Sequence, residues 1–113
     1  MTKNEVATQI VDAGLRSGRQ AYELENRGLR VVRQQTVPIV YQGTRIEMGF
    51  RADLIVEDKV IVEIKSVEAI APVHKKQLLT HLRLADKRLG LLINFNVVLI
   101  KEGIKRIANG MPD

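Results

Sequence analysis

Apolar and polar positions alternate in two short stretches near the middle of the chain, residues 50–57 and 60–65. Side chains of a β-strand point to opposite faces in turn, so this period of two predicts two strands forming a β-hairpin. One face is wholly apolar and should pack on a core; its members are Phe50, Ala52, Leu54, Val56, Val60, Val62 and Ile64. The second face is apolar near the turn and becomes charged further away, where it carries Asp53, Glu63 and Lys65.

The length of the connection decides whether Asp53 and Glu63 share a face. A loop of two residues, Asp58 and Lys59, would pair Asp53 with Ile64 and turn its side chain away from Glu63. A loop of three or five residues, or a bulge in one strand, would bring the two carboxylates together. Because tight two-residue turns favour Asn-Gly or Asp-Gly over Asp-Lys, we predict the longer loop.

Two helices are predicted before this hairpin. Thr2-x-x-Glu5 is a capping box that begins a helix through residue 15, with Val6, Ile10 and Val11 on one side. Ser17 caps a second helix, which Gly28 ends. Residues 29–41 then form one or two strands at a sheet edge, because Pro38 cannot donate a ladder hydrogen bond.

A strand–helix–strand crossover is predicted after the hairpin, over residues 60–95, with its two strands parallel. Its helix begins at Pro72, stops before Gly90 and carries Val73, Leu78, Leu79, Leu82 and Leu84 as apolar positions. Residues 91–95 are typical of a strand covered on both faces, and residues 97–108 suggest a final hairpin. The chain therefore predicts an α/β fold, a mixed sheet flanked by helices in the order α-α-β-β-β-α-β-β.

Composition narrows the class of protein. The 113 residues predict one domain, with a helical part over 1–28 and a core over 29–110. The absence of cysteine removes disulfides, thiolate nucleophiles and zinc sites built on sulfur. No apolar run approaches a membrane span or a signal peptide, so we expect a cytoplasmic protein with no membrane partner.

The net charge of +5 indicates an anionic partner, with nucleic acid the first candidate. Aromatic residues make up 4% of the chain and leave few platforms for stacking bases, so backbone contact with a duplex is expected. We assign such contacts to Arg51, Lys75 and Lys76. The residues leave DNA and RNA open, and we take DNA as the expected substrate.

Asp53, Glu63 and Lys65 are the minimum set for metal-assisted phosphodiester cleavage. Carboxylate oxygens suit Mg²⁺ or Mn²⁺, and the carbonyl of Ile64 is a candidate third ligand. A lysine beside them can orient the attacking water or offset charge on the phosphate. The alternative is that Glu63 and Lys65 are solvated residues of an amphipathic strand.

The flanking residues resemble the GxxExxY proteins, small bacterial members of the PD-(D/E)xK phosphodiesterase superfamily. The similarity spans residues 28–110, about three quarters of the chain, and includes the strings VPIVYQG, GFRADLIVEDKVIVEIKSVE, PVHKKQLLTHLRLADKRLGLLINFNV and GIKRIANG. The resemblance implies a restriction-endonuclease-like core with Asp53 and Glu63 as metal ligands and Lys65 as the catalytic lysine. It also implies that Gln77, in the following helix, belongs to the site.

The chain departs from this family in two places. The Gly-x-x-Glu-x-x-Tyr motif is missing, so the N-terminal helical region is shortened, and Glu23 is an auxiliary acid candidate. The helical Gln-x-x-x-Tyr pattern ends in His81, which shares a helix face with Gln77. His81 would reach a phosphate or simply bond a neighbour as a partly buried histidine, and His74 is expected to face solvent.

The predicted function is metal-dependent hydrolysis of nucleic acid by in-line attack of water, with Mg²⁺ or Mn²⁺ as cofactor. The alternative is a catalytically impaired nuclease-fold module that binds nucleic acid or a protein. A homo-oligomer is a third expectation, because the shortened helical region would leave one sheet face partly uncovered.

Overall fold

The structure is a computed structural model, and it describes residues 1–16, 20–95 and 103–110. Side chains are described for residues 1–14, 20–34, 42–44, 52–95 and 103–110. These residues form helices and strands in the predicted order: α1 (Lys3–Arg16), α2 (Gln20–Asn26), β1 (Val31–Tyr41), β2 (Thr44–Val56), β3 (Val60–Lys65), α3 (Pro72–Ala85), β4 (Leu89–Asn94) and β5 (Ile104–Ala108).

The five strands form one sheet in the order β1-β2-β3-β4-β5. β3 and β4 are parallel and the other neighbours are antiparallel, which confirms the mixed sheet and the crossover through α3. β1 is an edge strand, as Pro38 predicted, and its register shifts between Val37 and Ile39. β5 pairs with β4; the strand predicted at 97–100 lies outside the described residues.

The β2–β3 connection has the longer form that the sequence predicts. Three residues, 57–59, separate the strands, and Glu57 and Asp58 both adopt a left-handed φ of 54°. The ladder pairs Val56 with Val60 and ends with Leu54 opposite Val62. Continuing this register by one residue places Asp53 opposite Glu63, on the same side of the sheet.

Two hydrophobic cores cover the two faces of the sheet. The core beneath α1 and α2 is built from residues such as Val6, Ile10, Leu24, Leu54, Val56, Val62 and Leu91. The core beneath α3 contains Ala52, Ile55, Ile61, Leu78, Leu82, Ala85 and Leu92. The second face of the hairpin, which includes the charged positions, thus packs beneath α3 and does not face open solvent. β4 is buried along its whole length, which confirms the prediction for residues 91–94, whereas Phe95 lies beyond the strand and is half-buried.

The predicted position of Ala52 is wrong, since it lies in the α3 core while Leu54 and Val56 lie in the other. The alternation of β2 breaks at Asp53, where pairing with β3 has ended and where the opposite residue of β1, Gln34, has a φ of 47°.

The predicted apolar stripe of α3 is also partly wrong. Val73 is 64% exposed, because it precedes Leu78 by five residues, which is about 140° around the helix. α3 itself lies close to the sheet: a Cβ on Gly90 would come within 2.9 Å of a Leu78 methyl carbon. This close approach brings the middle of α3 directly against β4.

The N-terminal helices follow the predicted signals. The Thr2 amide donates to Glu5 Oε1 at 3.1 Å and the Glu5 amide donates to Thr2 Oγ1 at 3.2 Å, a reciprocal capping box. Gly28, with a φ of 81°, follows the end of α2; the predicted Ser17 cap lies outside the described residues. Within the described part of the chain, no helix combines the length and apolar character needed to cross a membrane.

Candidate active site

Asp53 and Glu63 lie where β2 and β3 stop pairing. The Ile64 amide donates to Asp53 Oδ2 at 2.7 Å, in the place that a ladder hydrogen bond would otherwise occupy. This bond fixes the Asp53 carboxylate at the fork between the strands. Since the N–H and C=O of one strand residue point to the same side, the Ile64 carbonyl also faces this fork.

A cavity of about 270 Å³ between the sheet and α3 brings the predicted residues together. Its walls consist of Asp53, Glu63, Ile64, Lys65, His74, Gln77, Leu78, His81 and Leu92. Both carboxylates and Lys65 therefore face one space, and Gln77 and His81 reach it from α3. Their chemical roles remain predictions.

Glu63 is buried and electrostatically strained. It is 8% exposed, so it is not the solvated residue of the alternative interpretation. Its pKa is raised to about 7, first by burial and then by the charge of Asp53 and a hydrogen bond between the two carboxyl groups, while Lys65 acts in the opposite direction. Its buried Oε1 accepts no hydrogen bond from the described residues. A cation at this oxygen would satisfy it.

His81 lies beside Glu63 in the cavity. Its Nδ1 is 3.9 Å from Glu63 Oε1, which is longer than a hydrogen bond. Burial, followed by the charge of Lys65, lowers the pKa of His81, so the ring is neutral around pH 7. A neutral imidazole at this place can accept a proton, and the imidazolium that results can donate one.

The donor set fits a hard divalent cation. Mg²⁺ is commonly held by one or two carboxylates, with waters and substrate oxygens completing the shell. Asp53, Glu63 and the Ile64 carbonyl offer such a set, and Glu63 Oε1 supplies an unsatisfied oxygen. Within the described residues, no group of three or more histidine or acidic side chains is placed so that all of them could hold one metal ion.

Some predicted residues do not reach the cavity. Glu23 is instead bound to Arg27 at 3.2 Å, and Arg27 also pairs with Asp12 of α1 at 2.8 Å. This cluster ties α2 to α1 and directs Glu23 away from the site. Lys75 and Lys76 are exposed on the first turns of α3, and the Arg51 side chain lies outside the described residues.

The prediction that His74 faces solvent is wrong. His74 is half-buried, lines the cavity, and its Nδ1 accepts a hydrogen bond from the Ala71 amide at 3.0 Å. The signal for this contact is its position: a polar residue at the third position of a helix can reach back to the residue before the helix. Pro72 marks the start from which that position is counted.

Asn94 bonds to backbone groups near the end of β4. Its amide side chain accepts from the Val67 N–H at 3.1 Å and donates to the Val67 carbonyl at 2.8 Å. The Phe95 amide donates to the Lys65 carbonyl at 3.0 Å. These bonds continue the pairing of β3 with β4 and hold the segment that carries Lys65; Asn96 lies outside the described residues.

The substitution Glu63→Gln should change how stability depends on pH. A carboxyl with a pKa of about 7 when folded and 4.5 when unfolded favours folding fully below pH 4.5, and this contribution is lost as the pH rises to 7. The loss amounts to as much as about 3 kcal/mol. In urea unfolding with EDTA, the variant should match the parent near pH 4.5 and exceed it by roughly this amount at pH 8. Exposed Glu68→Gln is the control; parallel profiles for the parent and Glu63→Gln would contradict the expectation.

Comparisons with known proteins bear on this arrangement. A family model described as the PD-(D/E)XK nuclease superfamily matches residues 20–107. The chain is similar to the alkaline exonuclease LHK-Exo from Laribacter hongkongensis, with 18% identity and a TM-score of 0.55 over 86% of this chain and 56% of that one. LHK-Exo in complex with dAMP gives 16% identity and a TM-score of 0.55 over 86% and 55% of the two chains. SSO0001 gives 22% identity and a TM-score of 0.54 over 84% and 48%.

At these identities the likeness to solved structures concerns the fold, and it confirms the predicted restriction-endonuclease-like α/β class. The chain spans about half the length of the solved structures it matches. None of the curated proteins compared with the chain matches it.

Proposed function

The chain belongs to the PD-(D/E)XK nuclease superfamily, and we propose that it hydrolyses phosphodiester bonds in nucleic acid with the aid of a divalent metal. One observation carries the proposal: two carboxylates, Asp53 and Glu63, share a cavity with Lys65, and one buried oxygen of Glu63 has no hydrogen-bond partner among the described residues. The strings shared with the GxxExxY proteins support placing the chain in that family.

Asp53, Glu63 and the Ile64 carbonyl would hold the metal, Mg²⁺ or Mn²⁺. When bound, such an ion polarises the phosphoryl oxygens and makes a nearby water more acidic. The Ile64 amide keeps Asp53 Oδ2 in a fixed orientation at 2.7 Å, so the carboxylate is preorganised before any ion arrives. Nucleases of this superfamily generally depend on divalent metals, in accord with this donor set.

Lys65 would orient the attacking water and stabilise the negative charge that builds on the phosphorus oxygens. It lies on β3 two residues after Glu63, so the two side chains share a face, and its charge already acts on Glu63. Gln77 reaches the same cavity from α3 and would donate its amide hydrogen to a phosphate oxygen. Neutral His81, next to Glu63, would exchange a proton with the water or the leaving group.

Nucleic acid, with DNA expected, is the proposed partner. The chain carries a net charge of +5, and Lys75 and Lys76 are exposed on the helix whose residues line the cavity. These lysines would bind phosphates flanking the reactive one, which gives affinity without reading sequence.

A second candidate is an impaired nuclease module that binds nucleic acid without cutting it. The observation in its favour is the Glu23–Arg27–Asp12 cluster, which commits the auxiliary acid candidate to an ion pair away from the cavity. Asp53 and Glu63 are then the acidic side chains among the described lining residues of the cavity.

A cleavage assay separates these candidates. Plasmid, linear duplex, branched and single-stranded DNA and single-stranded RNA should be incubated with Mg²⁺, Mn²⁺ or EDTA. We expect metal-dependent cleavage that Asp53→Asn abolishes. Binding of duplex by the parent without cleavage of any substrate would favour the binding module, and cleavage that survives Asp53→Asn would indicate a contaminating nuclease.

A further inference from the structure

His74 has a fixed tautomer. The backbone amide of Ala71 donates a hydrogen bond to Nδ1 at 3.0 Å, so Nδ1 presents its lone pair. In a neutral imidazole one nitrogen carries the hydrogen and the other accepts, so the Nε2 of His74 is the protonated nitrogen. The local fold therefore turns this histidine into a hydrogen-bond donor at Nε2.

That donor is not used within the described part of the protein. The bond from Ala71 is the hydrogen bond that His74 makes among the described residues, and it involves Nδ1. The side chain is half-buried and lines the same cavity as Asp53, Glu63 and Lys65. With Nδ1 bonded to the Ala71 amide, the hydrogen on Nε2 is available to a ligand in this cavity.

The cavity separates two kinds of polar group. Its carboxylates lie on the sheet, while the helix contributes His74, Gln77 and His81, which follow one face at spacings of three and four residues. A phosphodiester under attack needs donors at its non-bridging oxygens, because negative charge builds there. The N–H of His74 matches that need, whereas the carboxylates of Asp53 and Glu63 would repel the same oxygens.

We propose that His74 is a phosphate-binding residue of this site, donating its Nε2–H to a non-bridging oxygen of the phosphodiester that is cleaved. The Ala71 amide sets the tautomer, and the rigid start of α3 holds the ring in place. This inference rests on the proposed nuclease function and adds a residue to it.

Two substitutions separate this role from a purely structural one. Glutamate and glutamine at the third helical position both accept a hydrogen bond from the backbone amide before the helix, so His74→Glu and His74→Gln keep the bond to Ala71. Glutamine still offers amide hydrogens to a phosphate, whereas glutamate offers only negatively charged oxygens. Both variants should unfold at nearly the parent temperature. A difference in their activity would therefore come from what each side chain presents to the substrate.

With Mg²⁺ or Mn²⁺ and a cleavable DNA, His74→Glu should lower kcat/KM by about 10²-fold or more, the effect of losing one well-placed donor. His74→Gln should lower it by less than about tenfold on the same reasoning. Equal activity of both variants and the parent would overturn the inference. Failure of the parent itself to cleave would instead count against the proposed function.

Nuclear magnetic resonance of protein with nitrogen-15 histidine tests the inference without turnover. At pH 8 in EDTA, His74 should show a protonated Nε2 and an unprotonated Nδ1, and a short DNA duplex should shift the Nε2 proton resonance. A shift in a protein that cuts nothing would support the phosphate contact and reject catalysis. A protonated Nδ1, or an unchanged resonance at saturating duplex, would overturn the inference even in an active enzyme.

Discussion

Replacing Lys65 with alanine is expected to lower kcat by about 10²–10³-fold, the usual effect of removing one group that stabilises charge in the transition state. The affinity for nucleic acid should hardly change, because it comes from many dispersed phosphate contacts of which one lysine is a small part. The measurements are kcat on a linear duplex with Mg²⁺ and the dissociation constant of the same duplex with Ca²⁺ in place of Mg²⁺.

The substitution also changes the pKa of the neighbouring Glu63, and measurements at several pH values separate this effect from the loss of Lys65. The charge of Lys65 lowers the pKa of Glu63, so its removal lets that pKa rise. At pH 7 the variant would therefore hold more protonated Glu63 and bind a cation less well. At a pH high enough to ionise Glu63 in both proteins, the remaining loss of kcat belongs to Lys65 itself.

Two controls separate a loss of catalysis from a loss of binding. Lys105→Ala, at an exposed position of the edge strand β5, should leave both constants unchanged. Charge reversal at Lys75 and Lys76 should weaken binding and flatten its salt dependence, with a smaller effect on turnover at saturating substrate. If Lys65→Ala retained its kcat and lost affinity instead, Lys65 would be a phosphate-binding residue and not part of the chemistry.

The hairpin that carries the site could be predicted from sequence because its information is local. A period of two identifies the faces of β2 and β3, and the poor fit of Asp-Lys to a tight turn identifies the longer loop. These two inferences place Asp53 and Glu63 together. The structure reaches that register by putting Glu57 and Asp58 in the left-handed region.

The features that sequence reasoning missed depend on contacts between distant segments. Ala52 changes face because β2 is distorted at Asp53, opposite Gln34 of β1. Glu23 leaves the site because Arg27 joins it to Asp12, eleven positions earlier in the chain. The Glu23–Arg27 pair has the i,i+4 spacing of a helix, but no period or spacing in the sequence encodes the bond of Arg27 to Asp12 or the distortion of β2.

His74 is an intermediate case. Its bond to Ala71 is local and follows from a helix that begins at Pro72, so the tautomer could be predicted from the sequence. Its position in the cavity could not be predicted, because that position depends on how closely α3 approaches the sheet at Gly90.

Addition of Mg²⁺ or Mn²⁺ is expected to raise the unfolding temperature of the parent protein at pH 8. An ion at one hundred times its dissociation constant stabilises the folded state by about 2.7 kcal/mol, which is roughly 10 °C for a domain of this size. The physical reason is that the ion relieves the repulsion between Asp53 and Glu63 and satisfies the buried Oε1 of Glu63. Differential scanning calorimetry with and without metal measures the shift.

Low pH and the substitution Glu63→Gln should both reduce the metal-dependent rise in unfolding temperature. At pH 5.5 Glu63 is mostly protonated, so metal binding must displace its proton and the rise should be smaller. Glu63→Gln should abolish the rise, whereas Glu68→Gln, at an exposed position outside the cavity, should keep it. A rise that survives in Glu63→Gln would place the ion elsewhere on the protein, and no rise in the parent would favour the binding module.

The two effects of Glu63→Gln together predict that the difference in stability between variant and parent at pH 8 depends on metal. Without metal, the variant should unfold at the higher temperature, because it lacks a carboxylate that is costly to ionise in the folded protein. With saturating metal, the parent gains the binding energy and the variant does not, so the difference in unfolding temperature should shrink. It should reverse only where metal binding stabilises the parent by more than the cost of ionising Glu63. A substitution that merely disturbed packing would lower stability in both buffers. The dependence of this difference on metal therefore identifies Glu63 as a residue whose burial is unfavourable alone and is offset by a cation.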